Sequence, residues 1–310
     1  IKNIFNAIDD LIKNKKELNI LQKKSYKNFY LTNEYISKKI DNYRSSLLRD
    51  GFKTNNSKVL KSRLKIIHIT NFNERHNGRL FYNTGKRINN GLVRLGHSVL
   101  EFSDRDILSN HRKLNDLNGA KHLNKKLLTV IGNYVPDLII LGHADLIDIK
   151  TLKLIKEHYP QIKISQWFLD RMDSKWILNK KRFLDKIDVM DASFCTTDPG
   201  ILKFAKIKPI YYIPNPVDES FEILNNYKYR NLKSDVFFAL SHGVHRGVLK
   251  KGKFDERELF LKELTNKLPN IKFDMYGIEN KQPVWADNFT KALSQSKIAL
   301  NLSQGSGSKY

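Results

Sequence analysis

Lys65-Ile66-Ile67-His68-Ile69-Thr70, a run rich in β-branched residues, is followed by a polar stretch around Asn71 to Asn77 and then by apolar residues at helical spacing over 80–95. The period changes from that of a strand to that of a helix across one short loop, which predicts a βα unit. Working outward, Gly96 stops the helix and 97–102 reads as the next strand. A helical segment over 114–134, a strand over 137–141, a helix over 147–158, strands over 162–169 and 192–196, and a short strand over 210–213 follow. The prolines of Pro214-Asn215-Pro216-Val217-Asp218 end this first set, because proline cannot donate to a ladder. A second set then begins: strand 235–240, a basic loop with glycine, helix 256–268, strand 271–276, helix 288–296 and strand 298–302. The alternation predicts an α/β chain with two mostly parallel sheets, helices on both faces and ligand crevices at the carboxyl ends of the strands. No repeat of 20 to 50 residues occurs, so a solenoid is excluded.

The 310 residues carry 55 Lys+Arg against 32 Asp+Glu, a formal charge of +23, with 40% hydrophobic and 11% aromatic content. Such a composition buries a core, which excludes intrinsic disorder and a single small module. The charge is uneven: residues 1–63 hold 15 basic and 6 acidic side chains, or +9, leaving 23 − 9 = +14 for the other 247. Within that front segment, Ile4, Ile8, Leu11, Leu18 and Leu21, and later Ile36, Ile40, Tyr43 and Leu47, recur at helical spacing. Three domains follow: a basic helical extension over 1–63, a first α/β domain over 64–218 and a second, incomplete one over 219–310. The chain opens on Ile1 and closes just after an apolar strand, so it is expected to be clipped at both ends.

One cysteine, Cys195, excludes an internal disulfide and a cysteine-rich zinc site; on its strand it reads as a small buried hydrophobe, and a cytoplasmic setting is the expectation. No apolar run approaches the ~20 residues that a membrane-spanning helix needs. The basic front segment has three readings: a helical appendage folded against the first α/β domain with a solvated Lys-rich face, a surface for a partner helix, or peripheral contact with an anionic membrane leaflet at its inner face. Asp104-Arg105-Asp106 has the Asp-x-Asp form of a metal and nucleotide-sugar motif, but after a second strand it reads as a loop or helix cap. His76 and His111 read as loop residues, and no metal site is expected. Gly78 and Gly85 do not make the Gly-x-Gly-x-x-Gly fingerprint, which argues against a plain dehydrogenase.

Three segments taken in order carry a family resemblance: Asn77-Gly78-Arg79-Leu80-Phe81-Tyr82-Asn83-Thr84-Gly85-Lys86-Arg87 leading into Gly91 to His97, then Tyr212-Ile213-Pro214-Asn215-Pro216-Val217-Asp218, then Ser296-Lys297-Ile298-Ala299-Leu300-Asn301-Leu302-Ser303. From Leu64 to Tyr310 the chain resembles the GT-B glycosyltransferases, and among them the group 1 and CgeB-like enzymes. The resemblance implies two Rossmann-like domains and a metal-independent transfer of sugar from a nucleotide diphosphate sugar to a hydroxyl acceptor in glycan biosynthesis, in the cleft between the domains. The nucleotide-sugar is a substrate, and no cofactor is implied. The family's Arg-x4-Lys-Gly pattern falls on Arg246, Lys251 and Gly252, where the cations would neutralise the leaving diphosphate; a solvated basic loop is the plain alternative. Gly277 and Ser306, in the loop over 305–309, would line the donor side, or form ordinary turns.

On the acceptor side, Asn77, Gly78 and Arg79 lie between the first strand and its helix, where helix-start amides and a cation would hold an anionic or hydroxyl-rich group, or simply turn the chain. His143 and Asp170 close two successive strands and are the catalytic candidates. The family commonly has His at the second of these places, where this chain has Asp170. A carboxylate there suits general-base catalysis, and equally suits a helix N-cap. The competing function is a non-catalytic basic protein on a degenerate transferase fold, binding nucleic acid or an anionic surface. Its expected mark, Lys and Arg interleaved with aromatics on one element, is not found in the sequence, so no nucleic-acid partner is expected.

Overall fold

The computed structural model describes residues 2–28, 38–39, 41–42, 63–112, 114, 116–172, 177–200, 202, 209–225, 228, 231–241, 244–245, 248–249, 256–278 and 281–302. The chain is α/β, and the described residues fall into two compact units. One unit holds those between 38 and 221, and the other holds 2–28 together with those between 222 and 302.

The first unit is built on a six-stranded sheet of β1 (Lys65–Thr70), β2 (Ser98–Ser103), β3 (Leu138–Gly142), β4 (Lys163–Phe168), β5 (Ala192–Cys195) and β6 (Ile210–Tyr212), in the order β2-β1-β3-β4-β5-β6. Every pairing is parallel, with Ile67 of β1 between Leu100 of β2 and Ile139 of β3. Four helices alternate with the strands up to β4: α3 (Thr84–Arg94), α4 (Asp104–Asn110), α5 (Ala120–Tyr134) and α6 (Ile149–His158); α7 (Ile177–Leu184) follows β4. Parallel strands need such crossovers, and right-handedness decides the face each helix takes. Returning from β2 to β3 and β4 places α5 and α6 on the face of Ile67, Ile69, Ile139, Leu141 and Ile164, where Leu123, Leu127, Ile131, Leu152 and Ile155 complete a dry core. Each such side chain taken fully out of water is worth roughly 1.5–3 kcal/mol.

The leftward step from β1 to β2 leaves α3 for the opposite face, which is polar: Asn89 Nδ2 donates to Glu101 Oε1 at 2.8 Å and Lys86 pairs with Glu101 at 2.5 Å. Asp218, at the end of the proline segment, is buried and accepts from Ser220 N at 2.8 Å and from Arg94 Nη2, in the last turn of α3, at 2.5 Å. Burial would raise that carboxyl, but the Ser220 bonds and the Arg94 charge outweigh it and hold it below the ordinary range.

The second unit has a parallel three-stranded sheet, β10-β7-β11, formed by β7 (Ser234–Ala239), β10 (Phe273–Tyr276) and β11 (Ser296–Ala299). Between β7 and β10 run a short antiparallel pair, β8 (Val244–His245) and β9 (Val248–Leu249), and helix α8 (Glu256–Lys267); α9 (Ala286–Ser294) precedes β11. Val236, Phe238 and Leu240 share their core with Leu261 and Leu264 of α8 and with Ile8, while Ile12 packs at its edge. Ile8 and Ile12 belong to α1 (Lys2–Lys13), and Gln22 of α2 (Lys15–Asn28) donates to the Lys297 carbonyl at 2.8 Å. α1 and α2 therefore belong to the second unit, whereas one of the three sequence readings folded the front segment against the first α/β domain; Ile8 and Ile12 of α1 pack with the core of the second sheet.

Several boundaries differ from expectation. The last helix and strand, expected over 288–296 and 298–302, are Ala286–Ser294 and Ser296–Ala299. The helix expected over 114–134 begins only at Ala120, because its N-cap Gly119 adopts φ +72°, and a Cβ there would lie 2.8 Å from the Leu108 carbonyl oxygen. The first βα helix starts at Thr84 rather than near Leu80, once Asn83 has capped it. Among the described residues no helix is long and apolar enough to cross a membrane.

Candidate functional site

The order β2-β1-β3 makes the chain reverse direction between β1 and β3, and in open α/β sheets the strand ends at such a reversal form the binding crevice. Gly142 and His143 close β3 there, and Asp170 follows the neighbouring β4. Gly142 is required by packing: an added Cβ would sit 2.0 Å from Cζ2 of Trp167, its register partner on β4. The indole fills that space and donates from Nε1 to His68 Nε2 at 3.1 Å. Since an indole N–H can only donate, His68 Nε2 must be bare and its proton lies on Nδ1. His68 is fully buried, and that burial drives its pKa down to about 3, Lys86 adding to the effect and Asn89 opposing it. It is a neutral structural histidine on the polar face of β1.

His143 is held from several sides. Its backbone is left-handed at φ +49°, its ring stacks on Phe168 with centroids 4.1 Å apart, and Trp167 meets it edge-on at 5.4 Å. The Leu169 amide donates to Nε2 at 3.0 Å, so the neutral ring carries its proton on Nδ1, 3.7 Å from Asp170 Oδ2. Burial lowers the His143 pKa; Asp170 and Asp145 oppose that, and Arg105 and Arg182 add to it. With Nε2 occupied and Nδ1 protonated, the ring has no lone pair for a substrate proton. What remains is the N–H on Nδ1, near the Asp170 carboxylate. Asp170 has 57% of its side chain exposed. Residues 173–176 lie outside the described residues, and the described helix after Asp170 begins at Ile177. The structure thus brings the two candidates within 3.7 Å of each other.

Asn77, Gly78 and Arg79 form a turn rather than a helix start. Asn77 and Gly78 are both left-handed, at φ 52° and 78°, closing the short 3-10 turn Glu74–His76, and Arg79 Nη2 lies 3.1 Å from His76 Nδ1. The helix-start amides lie further on, where Asn83 Oδ1 accepts from Lys86 N at 3.0 Å. Asp106 ties this loop to α4: it accepts from Glu74 N at 2.8 Å and pairs with Arg75 Nη1 at 2.6 Å. Its neighbour Asp104 opens α4, fully buried, with Oδ1 on the Arg105 amide and Oδ2 without a hydrogen-bond partner. Burial first, then Asp145 and Asp106, push the Asp104 carboxyl up to about 6 against the pull of Arg105. The Asp-x-Asp tripeptide is therefore a helix start and a loop anchor. Among the described residues no group of three or more His, Cys, Asp or Glu side chains could hold a metal ion.

Cys195 is buried, donates to the Thr197 carbonyl at 3.1 Å, and has its thiol pushed up to about 12 by burial, so it is inert as a nucleophile. Gly277, expected to line the donor side or form a turn, is left-handed at φ +79°, and a Cβ would fall 1.8 Å from the Leu240 carbonyl oxygen. The close approach of two backbones accounts for this glycine. Arg246, Lys251, Gly252 and Ser306 lie outside the described residues. Sequence reasoning does not single out Trp167, Gly142 or Lys186, whose surroundings depend on strand register and on which side of a turn faces the core. The one signal that pointed towards them was the Gly-His pair after an apolar strand. No family model matches the chain, and no curated protein matches it.

Proposed function

We propose that the chain is a glycosyltransferase of the GT-B type, with Asp170 as the general base that takes the proton of an acceptor hydroxyl. The observation that carries this reading is the His143–Asp170 pair at the carboxyl edge of the six-stranded sheet: an exposed carboxylate 3.7 Å from an imidazole nitrogen, with the ring's other nitrogen accepting from the Leu169 amide. In the step proposed, the acceptor oxygen forms a bond to the anomeric carbon as its proton passes to Asp170. The bond from that carbon to the nucleotide diphosphate breaks, and its electron pair leaves on the phosphate oxygen. Arg246 and Lys251 are the proposed partners of that leaving charge, with Gly252, Gly277 and Ser306 around it, and Asn77, Gly78 and Arg79 on the acceptor side.

Removing a general base costs on the order of 10²- to 10⁴-fold in rate. Asp170→Asn is accordingly expected to keep the fold and melting temperature and to lower kcat by that factor, with sugar transfer followed by release of the nucleotide diphosphate. Donor classes are separated by a thermal-shift series with UDP, GDP, ADP and CMP sugars against single- and double-stranded DNA. Stabilisation by DNA and by no nucleotide would replace the transferase reading with the nucleic-acid one. Contact of the front helices with a membrane has less to draw on, since Ile8 and Ile12 already pack inside the second unit.

A further inference from the structure

Lys186 lies between α7 and β5, and its ammonium is buried. It donates to the carbonyl of Ala144, the residue directly after His143, at 2.7 Å. Burying an ammonium is costly, and nothing about filling space at this position requires a charge. The charges of four carboxylates, Asp145, Asp185, Asp104 and Asp148, oppose the lowering of its pKa that burial imposes. The carbonyl it holds belongs to a tight turn: the Asp145 amide donates to the His143 carbonyl at 2.9 Å and the Ile147 amide to that of Ala144 at 3.2 Å. Arg105 reaches Asp145 at 3.5 Å from the other side. A histidine at positive φ keeps that conformation only where its surroundings enforce it.

We infer that Lys186 is a positioning residue for the His143–Asp170 pair, acting through the Ala144 carbonyl on the turn that keeps His143 left-handed, with Nε2 on the Leu169 amide and Nδ1 towards Asp170. Its catalytic meaning rests on the proposed role of that pair, while its geometric content does not. A lysine at this place therefore fixes the tautomer of a ring it does not touch.

The test uses nitrogen-15 NMR of the full chain without substrate. In the wild-type protein His143 should show an N–H at Nδ1 and a bare Nε2, with a slowly exchanging Leu169 amide. Lys186→Met should release the ring: its tautomers mix, its titration midpoint rises towards the ordinary histidine value, and Leu169 exchanges at least about tenfold faster. Lys186→Arg, which can still donate to the carbonyl, should retain the wild-type signals. Should the Met variant fail to fold, Lys186→Leu, which also lacks a donor, is predicted to release the ring in the same way. A folded Met or Leu variant with an unchanged His143 tautomer and Leu169 protection would overturn the inference. The proposed activity is scored separately: a wild-type protein that shows these signals but transfers no sugar keeps the positioning role and loses the transferase reading.

Discussion

Asp104 and Asp106 stand two residues apart on the same turn of helix, and the fold treats them oppositely. Asp106 has a serine, two amides and an arginine around it, which together overcome burial and hold it below the ordinary carboxylate range. Asp104 has one amide and is pushed up to about 6. An acid whose folded value lies above its unfolded one holds its proton more tightly when folded. The stability linked to it is complete below about 3.8 and is lost as the pH rises through about 6. The gap between those two values corresponds to about 3 kcal/mol at most. Asp104→Asn should therefore match the wild type in urea unfolding at pH 4 and exceed it by about 1–3 kcal/mol at pH 8; a difference that does not change with pH would rule this linkage out. The tripeptide was legible as a cap, but which aspartate faces the core is a property of the turn and not of the composition.

At the scale of elements, the alternation of strand and helix was readable because each strand of the first sheet is a short apolar run and the helices of the dry face carry a 3.6-residue stripe. Gly119 was harder to read, since a lone glycine inside a helical pattern breaks it only where the backbone turns left-handed, and Asn83 sets a helix start that apolar spacing alone does not locate. The β3–β4 contact was not readable at all, since only register sets Gly142 against Trp167. This contact fixes the plane of the indole, the tautomer of His68 and one wall of His143 together. Gly142→Ala is expected to destabilise the first unit by about 2–4 kcal/mol, because a buried ring must move or the strands must part. Chemical unfolding with tryptophan emission as the signal checks it, and a loss under ~0.5 kcal/mol would mean the ring has room to yield.

For the whole molecule, the sequence separated a basic helical front from two α/β sets, and the structure gives α1 and α2 to the second of those sets. The amphipathic stripe was visible in Ile4, Ile8 and Leu11, but an apolar stripe does not name the surface it seeks. Ile8→Ala should cost about 2–3 kcal/mol and accelerate hydrogen exchange at Val236 and Phe238 by roughly 30-fold or more, leaving Ile67 and Ile139 protected as before. Equal loss in both sheets would contradict the division into two units.

Ile8 and Val236 belong to one core and stand 236 − 8 = 228 positions apart in the chain. During synthesis at about 5–20 residues per second, α1 leaves the ribosome some ten to fifty seconds before the strand that covers it. The first sheet can close in that interval, whereas the second has its first helix waiting with a greasy side bare. The nascent chain is thus most open to chaperone capture or to pairing with a neighbour over that interval, and translation speed through 64–235 becomes a determinant of yield.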